Sequence, residues 1–145
     1  MASAKTPPRS PLAALQAETE GFRTLLALLQ AEQDALSTAT ADLLPPIAEA
    51  KLRVVENLSG LARARVTDGI RATANGETAR AWAELRSLAA SARRQNELNG
   101  RMIAAQQQHF DRALSALYHA AGIAPLYGAD GRQQGNIPVR TYASI

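Results

Sequence analysis

The chain has 145 residues, of which 46% are hydrophobic, 20% are charged and only 4% are aromatic. This composition excludes an intrinsically disordered protein and allows one domain whose alanine-rich core suits closely packed helices. The formal net charge is +3, but acids lie between arginines spread from Arg9 to Arg140. The sequence therefore lacks the concentrated basic face that a nucleic-acid-binding protein needs.

Cysteine is absent, which excludes disulfides, thiolate metal sites and a cysteine nucleophile and fits a reducing compartment. No stretch approaches the roughly 20 apolar residues of a membrane span. Residues Met1 to Pro11 lack the apolar segment of a secretory signal. We therefore expect a cytoplasmic protein without membrane insertion.

The first predicted helix covers residues 10–44, after a disordered lead-in over residues 1–9. Ser10 offers a hydroxyl N-cap, and Pro11 suits the first helical position because its missing N–H costs nothing there. A heptad repeat of apolar residues follows: Leu15, Phe22, Leu29, Leu36 and Leu43. This repeat predicts packing against other helices, and Pro45-Pro46 are expected to end the helix.

The second predicted helix covers residues 46–70 and turns back antiparallel to the first, because the break between them is short. Ile47, Val54 and Leu61 repeat its apolar face at heptad spacing. Its charged residues, Lys51 and Arg65 among them, are expected to be solvated. The turn dipeptides Asp68-Gly69 and Asn75-Gly76 are both candidates for its end.

The third predicted helix covers residues 77–121 and contains an unbroken seam at alternating steps of three and four. The seam residues are Trp82, Leu85, Ala89, Ala92, Asn96, Asn99, Ile103, Gln106, Phe110, Ala113 and Leu117. Asn99-Gly100 is a turn dipeptide, but the seam continues through it and predicts one helix. At ~1.5 Å per residue the seam spans roughly 54 Å, more than the second helix can cover.

These patterns predict an all-α fold, an antiparallel three-helix, coiled-coil-like bundle with a long third helix and a flexible tail over residues 122–145. The amide-rich centre of the seam has two interpretations. Asn96, Asn99 and Gln106 are either a polar layer that sets register or part of an open surface for a partner helix.

No constellation of residues indicates catalysis. His109 and His119 lie about 15 Å apart on one helix, too far to share a metal ion. Carboxylates are scattered singly, and no glycine-rich phosphate loop opens a helix. We expect neither an enzyme nor a cofactor nor a metal site.

Three segments resemble the FlgN family of flagellar export chaperones. They are Arg80-Ala81-Trp82-Ala83-Glu84-Leu85, Asn96-Glu97-Leu98-Asn99-Gly100 and Leu126-Tyr127-Gly128-Ala129-Asp130-Gly131. The resemblance implies a cytosolic chaperone of type III secretion that binds the C-terminal helices of hook–filament junction proteins. Such a chaperone prevents premature assembly of its clients and delivers them to the export gate.

The resemblance also implies two sites. The client-binding site would comprise Asn96, Asn99, Gly100, Ile103, Gln106, Phe110, Ala113, Leu114 and Leu117. The contact with the export gate would comprise Tyr127, Gly128, Asp130 and Gly131. The alternative function is a structural coiled-coil adaptor that only self-associates, and the sequence leaves open whether the chain is a monomer or a homodimer.

Overall fold

The computed structural model describes residues 10–72 and 75–122 and is helical, with no strand in these two ranges. Helix α1 spans Pro11–Ser37, α2 spans Leu44–Thr67 and α3 spans Gly76–Ala120, with a short 3-10 helix at Ala41–Leu43 before α2. The predicted all-α class with three helices and a long third helix is confirmed. The predicted lead-in and nearly all of the predicted tail lie outside the described residues.

The chain divides into two compact units, residues 1–100 and residues 101–145. The described part of the first unit holds α1, α2 and α3 as far as Gly100. The described part of the second unit holds the remainder of α3, from Arg101. Among the helices of the described residues, none combines the length and hydropathy needed to cross a membrane.

Helix α1 begins as predicted but ends well before residue 44. At its start the Ser10 Oγ accepts a hydrogen bond from the Ala13 N–H at 3.2 Å. At its end Ala39 adopts φ +54°, and the Thr40 N–H donates to the Ala35 carbonyl at 3.0 Å. This left-handed residue followed by a bond back across the last turn is a helix-terminating Schellman motif.

The prediction that Pro45-Pro46 end the first helix is therefore wrong. Both prolines lie in the first turn of α2, which begins at Leu44. The first backbone N–H groups of a helix have no intrahelical acceptor, so proline loses no hydrogen bond there.

The structure shows which of the two candidate turns ends α2. The helix ends at Thr67, Gly69 adopts φ +68°, and the Ile70 N–H donates to the Arg65 carbonyl at 3.1 Å. Glycine takes this left-handed conformation without the steric cost that a Cβ would add. The Asp68-Gly69 turn, rather than Asn75-Gly76, terminates the helix.

Helix α3 passes through Asn99-Gly100 without a break. In the first unit it runs parallel to α1, because Arg23 contacts Glu84 and the Leu29 carbonyl contacts Asn99. Its stripe of side chains at steps of three and four continues through the dipeptide, which explains why the local turn preference does not prevail.

The core of the first unit is small and built mainly from leucine. Leu15 and Leu29 are fully buried, and Leu15 packs in one cluster with Ala81 and Leu85 of α3. A Cβ placed on Gly21 would lie only 2.6 Å from the Leu58 Cδ2 atom. Glycine at residue 21 therefore allows the close approach of α2 to α1, which offsets its low helix propensity.

Candidate functional site

A buried polar layer crosses the first unit between its three helices. Asn99 is only 1% exposed, and its Nδ2 donates to the Leu29 carbonyl and to the Glu32 Oε2, each at 2.8 Å. Its Oδ1 accepts from the Gln95 Nε2 at 3.0 Å. The Lys51 Nζ binds both oxygens of Glu32, at 2.9 and 3.0 Å. We call Glu32, Lys51 and Asn99 the amide layer.

A second polar layer joins the same three helices nearer the start of α1. Glu18 is 3% exposed and accepts a hydrogen bond from the Arg65 Nε at 2.7 Å. The Arg65 guanidinium carbon also lies 4.6 Å from the centroid of the Trp82 ring, within cation–π range. We call Glu18, Arg65 and Trp82 the tryptophan layer.

These layers correct the expectation that Lys51 and Arg65 are solvated. The Lys51 and Arg65 side chains are only 21% and 18% exposed, because each closes over a buried carboxylate of α1. One pattern in the sequence could have predicted these two buried ion pairs. Glu18 and Glu32 are two heptads apart on α1, and Lys51 and Arg65 are separated by the same interval on α2.

The contact between Arg23 and two acids lies at the surface of the first unit. Arg23 binds Glu20 of its own helix and Glu84 of α3. The hydrogen bond and negative charge of Glu20, and then the charge and hydrogen bond of Glu84, raise the pKa of Arg23. The group is exposed and cationic in any case, so it serves as a surface contact and not as an acid or base.

The second unit presents apolar side chains to solvent. Ile103, Phe110 and Leu117 are 36%, 65% and 64% exposed and follow one another at intervals of seven residues. Ala113 is exposed on the same side of the helix, and Leu114 is half-buried. We call Ile103, Phe110, Ala113, Leu114 and Leu117 the apolar stripe.

Comparison with known proteins decides the family. A family model described as FlgN protein matches residues 9–135. The chain belongs to the FlgN family. Neither a curated protein nor a solved structure matches the chain.

The FlgN family consists of flagellar export chaperones and is not an enzyme family. FlgN chaperones bind flagellar export substrates, so this chain is assigned to flagellar export in general. The resemblance found in the sequence is confirmed. In the described residues no group of three or more His, Cys, Asp or Glu side chains could hold a metal ion.

The structure separates the residues predicted to bind a client. Asn99 is buried in the amide layer, so its amide serves the bundle, as the register interpretation proposes. Asn96 and Gly100 are exposed in the first unit, although Asn96 Oδ1 lies 3.4 Å from the Lys51 Nζ. The remaining predicted residues lie in the second unit. Leu114 is half-buried there, and the others are exposed: Ile103, Gln106, Phe110, Ala113 and Leu117.

The predicted contact with the export gate lies outside the described residues. Tyr127, Gly128, Asp130 and Gly131 fall in the range 123–145. The FlgN family match does extend across them, because it ends at residue 135.

Proposed function

We propose that this FlgN-family chain binds the C-terminal helices of hook–filament junction proteins through the apolar stripe of its second unit. The bound client is kept from premature assembly in the cytoplasm and is delivered to the export gate. The observation that supports this proposal is the exposure of Ile103, Phe110 and Leu117 in a chaperone family.

The shape of the apolar stripe favours a helical client. A residue every seventh position lies on one side of an α-helix, and this is the spacing at which a second helix inserts its own side chains. From Ile103 to Leu117 the stripe extends about 21 Å, the length of two heptads of a partner helix. An extended peptide, whose side chains alternate with a period of two, would not match it.

The small area of the stripe suits a transient complex. Fully burying a large apolar side chain contributes about 1.5–3 kcal/mol. Much of this gain is offset when a client that is disordered in solution becomes ordered on binding. The resulting affinity is moderate, which allows a chaperone to release its client at the export gate.

Titration by NMR tests the proposed site. When a peptide from a junction-protein C-terminus is added to the full chain labelled with nitrogen-15, we expect the amides of residues 103–117 to shift. Amides around Leu52 and Val66, which are apolar and exposed on α2, should remain in place and serve as the internal control. The peptide should gain helical circular dichroism as it binds.

Two outcomes would overturn the proposal. Unchanged amides over residues 103–117 in the presence of a bound client would remove the apolar stripe from the site. A tight dimer in analytical ultracentrifugation, together with no detectable binding of client, would support the self-associating adaptor instead.

We further propose that Tyr127, Gly128, Asp130 and Gly131 contact the export gate. The support is the resemblance of this segment to the FlgN family and its position inside the family match. Because aromatic side chains are efficient interface anchors, Tyr127→Ala should reduce swimming motility while leaving folding and client binding unchanged.

Tyr142→Ala is the matched control for this experiment, because Tyr142 lies beyond the family match. Soft-agar swimming and a client pull-down measure the two effects. Loss of client binding in Tyr127→Ala would contradict the proposed role, as would equal motility defects in the two variants.

A further inference from the structure

We propose that the amide layer and the tryptophan layer select the register of α1 against α2, which the apolar repeat leaves ambiguous. Glu32–Lys51 and Glu18–Arg65 are buried ion pairs between these helices. The carboxylates are two heptads apart on α1, and the cations are two heptads apart, in reverse order, on α2. Both pairs therefore form in one antiparallel register.

The apolar residues by themselves permit a second register. The two ion pairs define the observed register of α1 against α2. Stepping along the two helices in opposite directions from these pairs places three heptad residues of each helix at the same level: Leu36 with Ile47, Leu29 with Val54, and Phe22 with Leu61. A shift of one heptad also matches apolar residues in three layers: Leu43 with Ile47, Leu36 with Val54, and Leu29 with Leu61. Two of the three layers contain the same residue types in both registers, and the third exchanges Phe22 for Leu29. The shift would also move Leu58 away from Gly21. The apolar heptad repeat therefore distinguishes the two registers only at these two places.

The shifted register would also have a plausible local turn. Its midpoint falls at Pro45-Pro46, where the sequence pattern predicts the break between the helices. The observed turn instead requires Ala39 at φ +54°, a left-handed conformation that alanine adopts only at a cost. Local preferences therefore favour the shifted register, and a tertiary interaction must oppose them.

The two ion pairs favour the observed register over the shifted one. In the shifted register Glu32 would lie level with Leu58, and Glu18 would lie level with residue 72, beyond the end of α2. Glu32 would then be a buried carboxylate without a cation, which is strongly unfavourable, and Glu18 would lose its contact with Arg65. The observed register pairs both carboxylates. Buried polar groups that set helix register are well known in coiled coils, at some expense of stability.

Spin-label distances test the inference. The chain has no native cysteine, so Gln16→Cys on α1 and Arg53→Cys on α2 place labels at two exposed positions. In this labelled background both layers are replaced by apolar side chains: Glu18→Leu, Glu32→Leu, Lys51→Met and Arg65→Met. Because replacing whole buried ion pairs by apolar residues is often neutral or stabilising, the protein should remain helical and cooperative.

The expected result is a second distance population, longer than the first by about 10 Å, the rise of seven helical residues. A variant that loses only Glu18 and Arg65 should keep one population, since Glu32 still requires Lys51. Replacing the exposed pair Arg93 and Glu97 by methionine is the matched control and should also keep one population.

A single unchanged distance in the fourfold variant would overturn the proposal, because the apolar core and turn would then suffice to set the register. If the fourfold variant did not fold, moving both carboxylates by one heptad decides: Glu18→Leu with Leu25→Glu, and Glu32→Leu with Ala39→Glu. In this variant the acids lie level with Arg65 and Lys51 only in the shifted register, so we expect the longer distance. The native distance alone would overturn the proposal.

Discussion

Replacing Lys51 by methionine should lower the free energy of unfolding by about 3 kcal/mol, the lower end of the range for a broken buried ion pair. Lys51 is the cation that neutralises Glu32, whose side chain is only 8% exposed. Without it, the carboxylate retains a hydrogen bond from Asn99 but no compensating charge. Urea denaturation followed by circular dichroism measures the change.

Arg53→Met provides the matched control on the same helix. Arg53 forms an ion pair with Glu49, but both side chains are 70% exposed. Exposed pairs contribute only about 0–1 kcal/mol, so this variant should unfold close to the wild-type midpoint. Equal losses of stability in the two variants would contradict the prediction, because the buried ion pair would then contribute no more to the free energy of unfolding than the exposed one.

Replacing Phe110 by aspartate should weaken client binding by about 30-fold or more, corresponding to roughly 2 kcal/mol for a central aromatic contact. Phe110 lies midway between Ile103 and Leu117 in the apolar stripe, so a carboxylate there would be desolvated by the incoming helix. The free protein should remain folded, because the phenyl ring is already 65% exposed. Isothermal titration calorimetry with a junction-protein C-terminal peptide measures the affinity.

Leu52→Asp is the control for a general effect of adding charge to an exposed apolar surface. Leu52 is 60% exposed on α2, in the first unit and outside the proposed site. This variant should bind the client as the wild type does. If Leu52→Asp weakened binding as strongly as Phe110→Asp, the client would contact α2 and the proposed site would be wrong.

Much of the fold follows from periodicity alone. Heptads in α1, a narrower apolar face in α2 and the unbroken seam of α3 predicted three helices, because apolar residues at steps of three and four can share a buried face only in a helix. The length of that seam also indicated that part of α3 would lack internal partners. In the second unit Ile103, Phe110 and Leu117 are exposed.

The same periodicity could not predict which residues of the seam are buried and which are exposed. Asn99 and Phe110 occupy equivalent steps of the pattern, yet Asn99 is buried and Phe110 is exposed. The burial of Asn99 depends on residues of α1, because its Nδ2 donates to the Leu29 carbonyl and to Glu32. That information is absent from the local sequence around either residue.

The sequence by itself determined the helical class, the family resemblance and the continuous seam of α3. Only the tertiary structure decided where α1 ends, which register it takes against α2, and which amide of the seam is buried. The physical reason is that a heptad repeat is nearly unchanged by a shift of seven residues, whereas a buried carboxylate is not. Glu18 and Glu32 find their cations in one register, and the chain adopts the unfavourable turn at Ala39 to reach it.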